Sequence, residues 1–208
     1  MTILLLLRHG QSQWNLENRF TGWKDVELSE NGIIEAKKTG KLIRESNIQI
    51  DKVYTSNLKR AIDTATIAME EAKYNHLFSE KKLQMIRSQA MNERDYGDLV
   101  GLNKKDTSEK YGNEQVHIWR RSFEVRPPGG ESLKDVVARV KPYYENNIKK
   151  DLIDGKNLLV SAHGNSLRAL FIILDFYSSN TISKVEIPTG KPFIVEFEKD
   201  KIVKQYYL

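Results

Sequence analysis

Two of the four histidines stand in matched surroundings. Leu4-Leu5-Leu6-Leu7-Arg8-His9-Gly10-Gln11-Ser12 parallels Leu158-Leu159-Val160-Ser161-Ala162-His163-Gly164-Asn165-Ser166. Each is an apolar run, then His-Gly, then an amide residue and a serine. A neutral imidazole is a competent nucleophile near pH 7. Phosphoryl transfer mostly needs an aligned nucleophile and cations on the transferring oxygens. Arg8 adjoins His9, and Arg60 follows the run Tyr54-Thr55-Ser56 in the first turn of a predicted helix. His9, Arg8, Arg60 and His163 can surround a phosphoryl group without a metal. A pair of structural, hydrogen-bonded histidines is the plainer alternative, and the repeated setting argues against it. His76 and His117 lack that setting and read as surface or packing residues. No Walker loop and no clear carboxylate metal cluster appears.

The elements that must position these groups follow from hydrophobic pattern. Ile3 to Leu7 is a continuous apolar run, as in a strand buried on both faces of a parallel sheet. A helix is predicted from about Ser29, with Ile33, Ala36, Gly40 and Ile43 on one face. Lys52 to Thr55 is a second strand, with Ser56 as cap of a helix carrying Leu58, Ala61, Ile62, Ala65 and Met69. Residues 73–130 hold polar stretches, glycines and the turn Pro127-Pro128-Gly129-Gly130, and predict loops and short helices above the sheet. Ser132 and Asp135 form a capping-box pattern before Leu133, Val136, Val137, Val140 and Tyr144, with Pro142 as a kink point. Asn157 to Ala162 is a strand, and Leu167, Leu170, Phe171 and Leu174 give the next helix its apolar face. Phe193 to Phe197 and Ile202 to Tyr206 alternate around Lys199-Asp200, a hairpin at the sheet edge.

This alternation predicts an α/β fold. The expectation is a three-layer α/β/α sandwich with a mostly parallel central sheet and an antiparallel edge strand. Residues 1–208 read as a single domain with an insertion at about 73–130 over the site. In open parallel sheets the active crevice lies beyond the carboxyl ends of the strands, where both His-Gly pairs fall.

Composition narrows the classes. There is no cysteine, which excludes disulfides, thiolate catalysis and cysteine-bound zinc. The first apolar run is too short to span a bilayer and lacks a basic leader, so no membrane role and a cytoplasmic location are expected. The net charge of +5 comes with no long basic block interleaved with aromatics, so no nucleic-acid partner is expected.

The ordered motifs carry a specific likeness. Arg8-His9-Gly10-Gln11-Ser12-Gln13-Trp14-Asn15 resembles the signature of the histidine phosphatase superfamily. Asn18-Arg19-Phe20-Thr21-Gly22-Trp23 and Leu28-Ser29-Glu30-Asn31-Gly32 are similar to the cofactor-dependent phosphoglycerate mutases within it. So are Thr55-Ser56-Asn57-Leu58-Lys59-Arg60-Ala61, Asn92-Glu93-Arg94-Asp95-Tyr96-Gly97, Gly101-Leu102-Asn103-Lys104, Trp119-Arg120-Arg121 and Ala162-His163-Gly164-Asn165-Ser166-Leu167-Arg168-Ala169-Leu170. The resemblance implies interconversion of 3-phosphoglycerate and 2-phosphoglycerate, a step of glycolysis and gluconeogenesis, through a phosphohistidine and a 2,3-bisphosphoglycerate intermediate. It implies 2,3-bisphosphoglycerate as the cofactor that primes phospho-His9, with no metal. By the same resemblance His9 is the nucleophile, Glu93 the general acid and base, and Arg8, Arg60 and His163 hold the phosphoryl group in transit. Ser12, Asn15, Thr21, Gly22, Tyr96, Lys104, Arg120, Arg121, Gly164 and Asn165 are implied to bind phosphate or carboxylate, together with Arg60 and Glu93. The implied partners are small-molecule phosphoglycerates, and assembly into a homo-oligomer stays open.

Two departures from longer family members stand out. The chain runs directly from Pro127-Pro128 to Gly129-Gly130-Glu131-Ser132, and it stops at Tyr206-Tyr207-Leu208, where many members continue into a mobile basic tail associated with closing the site. Water reaches a phosphohistidine in an open site. A phosphatase on the same scaffold is therefore the first rival reading. A non-enzymatic phosphate-binding domain is the second, and it predicts a missing nucleophile or acid.

Overall fold

A strand made of Leu4 to Leu7 needs apolar cover on both faces. The computed structural model, which describes all residues 1–208, supplies that cover. In chain order the elements are β1 (Thr2–Arg8), α1 (Gln13–Leu16), α2 (Glu30–Glu45), β2 (Lys52–Thr55) and α3 (Lys59–Ala72). Short strands β3 (Phe78–Ser79), β4 (Lys82–Leu83) and β5 (Ile86–Arg87) follow, then α4 (Lys104–Tyr111) and α5 (Asn113–Arg121). Next come α6 (Leu133–Tyr143), a π turn over Tyr144–Ile148, α7 (Lys149–Ile153), β6 (Leu158–Ala162) and α8 (Gly164–Ile173). The hairpin β7 (Phe193–Glu198) and β8 (Lys201–Tyr207) closes the chain.

The main sheet runs β5-β2-β6-β1-β7-β8. The first four strands are mutually parallel, and β7 pairs antiparallel with both β1 and β8. The antiparallel edge is thus two strands wide, the hairpin that the alternation around Lys199-Asp200 predicts. β3 and β4 form a separate small hairpin.

Side chains alternate across the sheet, so β1 feeds two cores. Leu4 and Leu6 join Leu158 and Val160 under Val136 and Val140 of α6 and Leu167 and Leu170 of α8. Leu5 and Leu7 join Val53 and Leu159 over Ile43 of α2 and Ala65 and Met69 of α3. All four leucines are buried, each worth about 1.5–3 kcal/mol relative to exposure. The result is helix, sheet, helix, as the pattern requires.

Most local signals hold, with two corrections. Ser29 caps α2, and Ser132 with Asp135 forms a reciprocal capping box on α6. Pro142 has no N–H to give back along its helix, and the path passes into the π turn two residues later. Ile33, however, is 38% exposed, because Gly32 takes the inward place. A Cβ on Gly32 would sit 2.1 Å from the Gln11 carbonyl oxygen, so the approach of α2 to the turn after His9 excludes any larger residue. Ser56 does not cap α3. The cap position is Leu58, whose N–H donates to Ser56 Oγ across 3.1 Å, and that hydroxyl is committed to the site.

Candidate active site

The two histidines meet because their strands are neighbours in register. β1 and β6 pair parallel, with Arg8 opposite Ala162, and the His9 N–H donates to the Ala162 carbonyl across 3.0 Å. The next side chain on each strand is an imidazole. The ring centroids of His9 and His163 lie 5.0 Å apart, tilted by 58°. Both rings are buried.

One hydrogen bond fixes the tautomer of His9. Its Nδ1 lies 2.6 Å from the Gly10 carbonyl oxygen, which can only accept. Nδ1 therefore carries the proton and Nε2 keeps its lone pair. Ser56 Oγ accepts from Leu58 and lies 2.8 Å from His163 Nε2. His163 Nδ1 is buried with no partner in the protein. Such an orphan polar atom costs about 1–3 kcal/mol unless a ligand pairs with it. Burial pushes both imidazoles well below the usual histidine range, and the Arg60 and Arg8 charges add to this. Both rings are neutral at pH 7.

The cations around them are held by main chain. Arg60, buried in the first turn of α3, donates to the Gly22 and Lys24 carbonyls at 2.9 and 3.0 Å. Burial lowers its pKa to about 10 against the pull of Glu93 and Asp25, so it stays charged. Arg8 donates to the Ile187 carbonyl at 2.6 Å, while its Nε is buried without a partner. Gly22 needs its positive φ of 54° to turn the Thr21-Gly22-Trp23 loop onto Arg60.

Glu93 approaches from the other side. Its Oε1 accepts from the Arg94 N–H at 2.8 Å and from the Asn165 N–H and Nδ2 at 3.1 and 3.0 Å. Its Oε2 accepts nothing from the protein. Burial alone would raise the carboxyl, but the Arg94 N–H, Arg60, Asn165 and Arg8 together hold it below the ordinary glutamate value. It is ionised at neutral pH.

Arg8 and Glu93 line a cavity of about 170 Å³. Only two of its 15 lining residues are hydrophobic, so it suits a small polar ligand. Its lining includes Arg8, Glu93, Gly164 and Asn165, then Asn15, Thr21, Gly22, Tyr96 and Lys104, and Arg120 and Arg121 from the end of α5. His9, His163 and Arg60 are buried beside it. Ser12 stands behind Asn15. The two form a reciprocal cap on α1 at 3.1 and 3.2 Å, which leaves the Asn15 Nδ2 free. Burial lowers the Lys104 pKa, opposed by Tyr96. The Tyr96 hydroxyl, which burial would raise, is drawn down by Arg94.

Four lining residues lie outside the sequence-predicted set: Arg19, Phe20, Arg168 and Glu186. Arg168 stands one helical turn after Gly164 on the same face of α8, so helix periodicity was a usable signal. Arg19 and Phe20 sit inside a motif already singled out. Glu186, in the loop before β7, carries no such signal. It bonds Arg121 and lies 3.7 Å from Arg168. His76 and His117 are exposed and remote from the cavity lining. No group of three or more His, Asp or Glu side chains is placed to hold a metal ion, and no helix is long and apolar enough to cross a membrane.

A parallel sheet whose strand ends bring two neutral imidazoles together beside a small cationic cavity defines an α/β protein with a site suited to an anionic ligand. The Histidine phosphatase superfamily (branch 1) matches residues 4–207, and the chain belongs to that superfamily. It is 50% identical over 202 residues to a 2,3-bisphosphoglycerate-dependent phosphoglycerate mutase of Methylorubrum populi, covering 97% of this chain and 92% of that protein. A protein of the same name from Mesorhizobium japonicum is 50% identical over 200 residues, covering 96% and 94%. Among solved structures, Bacillus stearothermophilus YhfR superposes with a TM-score of 0.80 at 24% identity, covering 98% of this chain and 95% of that one. A mycobacterial glucosyl-3-phosphoglycerate phosphatase complexed with VO3 superposes with a TM-score of 0.79 at 25% identity, covering 94% and 93%. These structural likenesses concern the fold.

Proposed function

We propose that this protein is a 2,3-bisphosphoglycerate-dependent phosphoglycerate mutase that interconverts 3-phosphoglycerate and 2-phosphoglycerate in glycolysis and gluconeogenesis. The observation that carries the reading is the His9 ring. Its Nδ1 is tied to the Gly10 carbonyl, its Nε2 is free, and it lies 5.0 Å from the ring of His163, whose Nδ1 has no partner in the protein. Half-identical relatives of nearly equal length bear the mutase name, which supports the substrate.

The donor set fits a bisphosphorylated three-carbon acid. Arg8 Nε is a buried donor without a partner, and His163 Nδ1 is a buried ring nitrogen without one. Lys104, Arg120 and Arg121 add further positive charge to the cavity lining, as a second anionic group needs. When bound, 2,3-bisphosphoglycerate supplies the phosphoryl group that primes His9. Arg8, Arg60, Gly164, Asn165, Ser12 through Asn15, and Thr21-Gly22 would hold phosphate or carboxylate oxygens, with Tyr96 lining the same space.

In the proposed cycle, His9 Nε2 carries the phosphoryl group and hands it to the free hydroxyl of 3-phosphoglycerate. The N–P bond breaks and its electron pair returns to Nε2. Glu93 Oε2 takes the hydroxyl proton as the new O–P bond forms. Arg8, Arg60 and His163 balance charge on the transferring oxygens. After reorientation His9 accepts the other phosphoryl group, and Glu93 returns the proton to the leaving oxygen. Neutral His9 suits this role, because a protonated ring has no lone pair to offer.

The test is turnover of 3-phosphoglycerate with and without added 2,3-bisphosphoglycerate, in the presence of a chelator. The reading expects cofactor stimulation that survives chelation. Strict metal dependence, or net phosphate release in place of isomerisation, would overturn it and favour the phosphatase reading.

A further inference from the structure

Glu93 lies in a stretch, Asn92 to Tyr96, that belongs to no helix or strand. Its backbone carbonyls must find partners elsewhere. A single side chain on α6 serves two of them, and the Ala90 carbonyl just before. Arg139 Nη1 donates to the Ala90 carbonyl at 2.6 Å, and Nη2 donates to the Asn92 and Glu93 carbonyls at 3.1 and 3.0 Å. The guanidinium is bound on its other edge by Glu131, with Nε to Oε1 at 2.8 Å and Nη2 to Oε2 at 3.0 Å. Glu131 Oε2 also accepts the Asp95 N–H at 2.9 Å. One ion pair therefore grips the chain on both sides of Glu93. Trp23 completes the grip, with its indole N–H on the Glu93 carbonyl at 2.6 Å and the Arg139 guanidinium over its ring at 5.8 Å.

We infer that Arg139 is a positioning residue for Glu93: clamped by Glu131, it fixes the main chain of residues 90–93 so that the free Oε2 of Glu93 stays aimed into the cavity. Arg139 does not line that cavity, so it acts through Glu93 and not on substrate. Its side chain is 19% exposed and its planar fork reaches five acceptor oxygens, three of them sharing the two Nη2 protons. A lysine there keeps the charge but has three donors and no fork, so it cannot serve all five.

The inference rests on Glu93 being the proton-transfer group, and the experiment separates the two claims. Two phosphoryl transfers are compared in the full-length protein. In the first, His9 Nε2 attacks p-nitrophenyl phosphate, whose O–P bond breaks with the electron pair leaving on p-nitrophenolate, and no proton is needed. In the second, phospho-His9 transfers to the hydroxyl of 3-phosphoglycerate, whose proton must be removed. Glu93→Gln should slow the second by about 10²–10⁴-fold, the usual range for a lost acid–base group, and slow the first far less, so that the ratio of the two rates falls at least tenfold. Arg139→Lys should show the same selectivity at smaller size, about 10–100-fold on kcat of the second reaction, with KM for 3-phosphoglycerate little changed. Glu131→Gln, which loosens the clamp from its other partner, should reproduce the pattern and serves if Arg139→Lys does not fold. In the double variant with Glu93→Gln, Arg139→Lys should add almost nothing. If Arg139→Lys and Glu131→Gln slow both reactions equally, or neither, the positioning role is wrong. If Glu93→Gln itself shows no selectivity, the Glu93 assignment is what fails.

Discussion

The His9 and His163 rings face each other at 5.0 Å because Arg8 and Ala162 are register partners in adjacent parallel strands. No loop has to fold correctly to bring the imidazoles together. Two central strands, each covered on both faces by core, end at the same height. The arginines come from two places, Arg8 from β1 itself and Arg60 from the first turn of α3. A rigid pair surrounded by cations needs little rearrangement when an anion arrives, which is the condition for electrostatic catalysis.

Burial of these rings couples stability to pH. Both folded-state pKa values lie well below the unfolded value, with burial the leading cause. Below about pH 6.5 the unfolded chain binds protons that the folded one refuses. Stability from the neutral rings is thus complete above that pH and declines as pH falls. Denaturant midpoints measured from pH 8 to pH 5 should drop, and should drop less in His163→Gln. A flat or rising midpoint towards pH 5 would contradict the burial account.

Gly32 controls the turn that follows His9. Its Cα faces Gln11, and an added Cβ would lie 2.1 Å from the Gln11 carbonyl oxygen and 2.9 Å from its nitrogen. Gly32→Ala should cost about 1–3 kcal/mol in denaturant unfolding, the usual penalty of overpacking. Unchanged stability would show that α2 can retreat freely from the site.

Arg120 lines the cavity at the end of α5, and its side chain donates to no protein group. Arg120→Ala should weaken phosphoglycerate binding by about 1.5–3 kcal/mol, the worth of a charged hydrogen bond. A KM equal to that of the parent enzyme would remove Arg120 from the binding set.

Glu186 places a carboxylate at the rim of an anion-binding cavity, bonded to Arg121 and 3.7 Å from Arg168. It is 69% exposed, so the pair is screened and cheap to break. Glu186→Gln should release Arg121 and tighten binding of 2,3-bisphosphoglycerate by about two- to fivefold, as expected for an exposed pair. Calorimetric titration that finds weaker binding would mean Glu186 holds Arg121 in its working position.

The sequence discloses the frame of the site better than its supports. His9 and His163 announce themselves through repeated strand-end context, and β1 through its unbroken apolar run. Ser29, Ser132 and Asp135 are readable as caps because capping is local. Ile33 misleads, since helix period alone cannot tell that the Gln11 backbone lies within contact of the neighbouring glycine. Ser56 misleads for a related reason. Its position suits a cap, but a histidine 107 residues away takes the hydroxyl. Arg139 and Glu186 are invisible in a linear reading, because their partners lie in segments joined only by the fold. The motif around Glu93 marks the carboxylate, and the guanidinium that steadies it comes from a helix whose pattern speaks only of core.

The central claim is that His9 nitrogen carries the phosphoryl group. The direct measurement loads the protein with a radiolabelled phosphoryl group from 2,3-bisphosphoglycerate, quenches in base, and maps the label by peptide. The account predicts acid-labile label on His9 alone, chased into phosphoglycerate by added 3-phosphoglycerate, with no label and no turnover in His9→Ala. Label on another residue, or full turnover in His9→Ala, would contradict it.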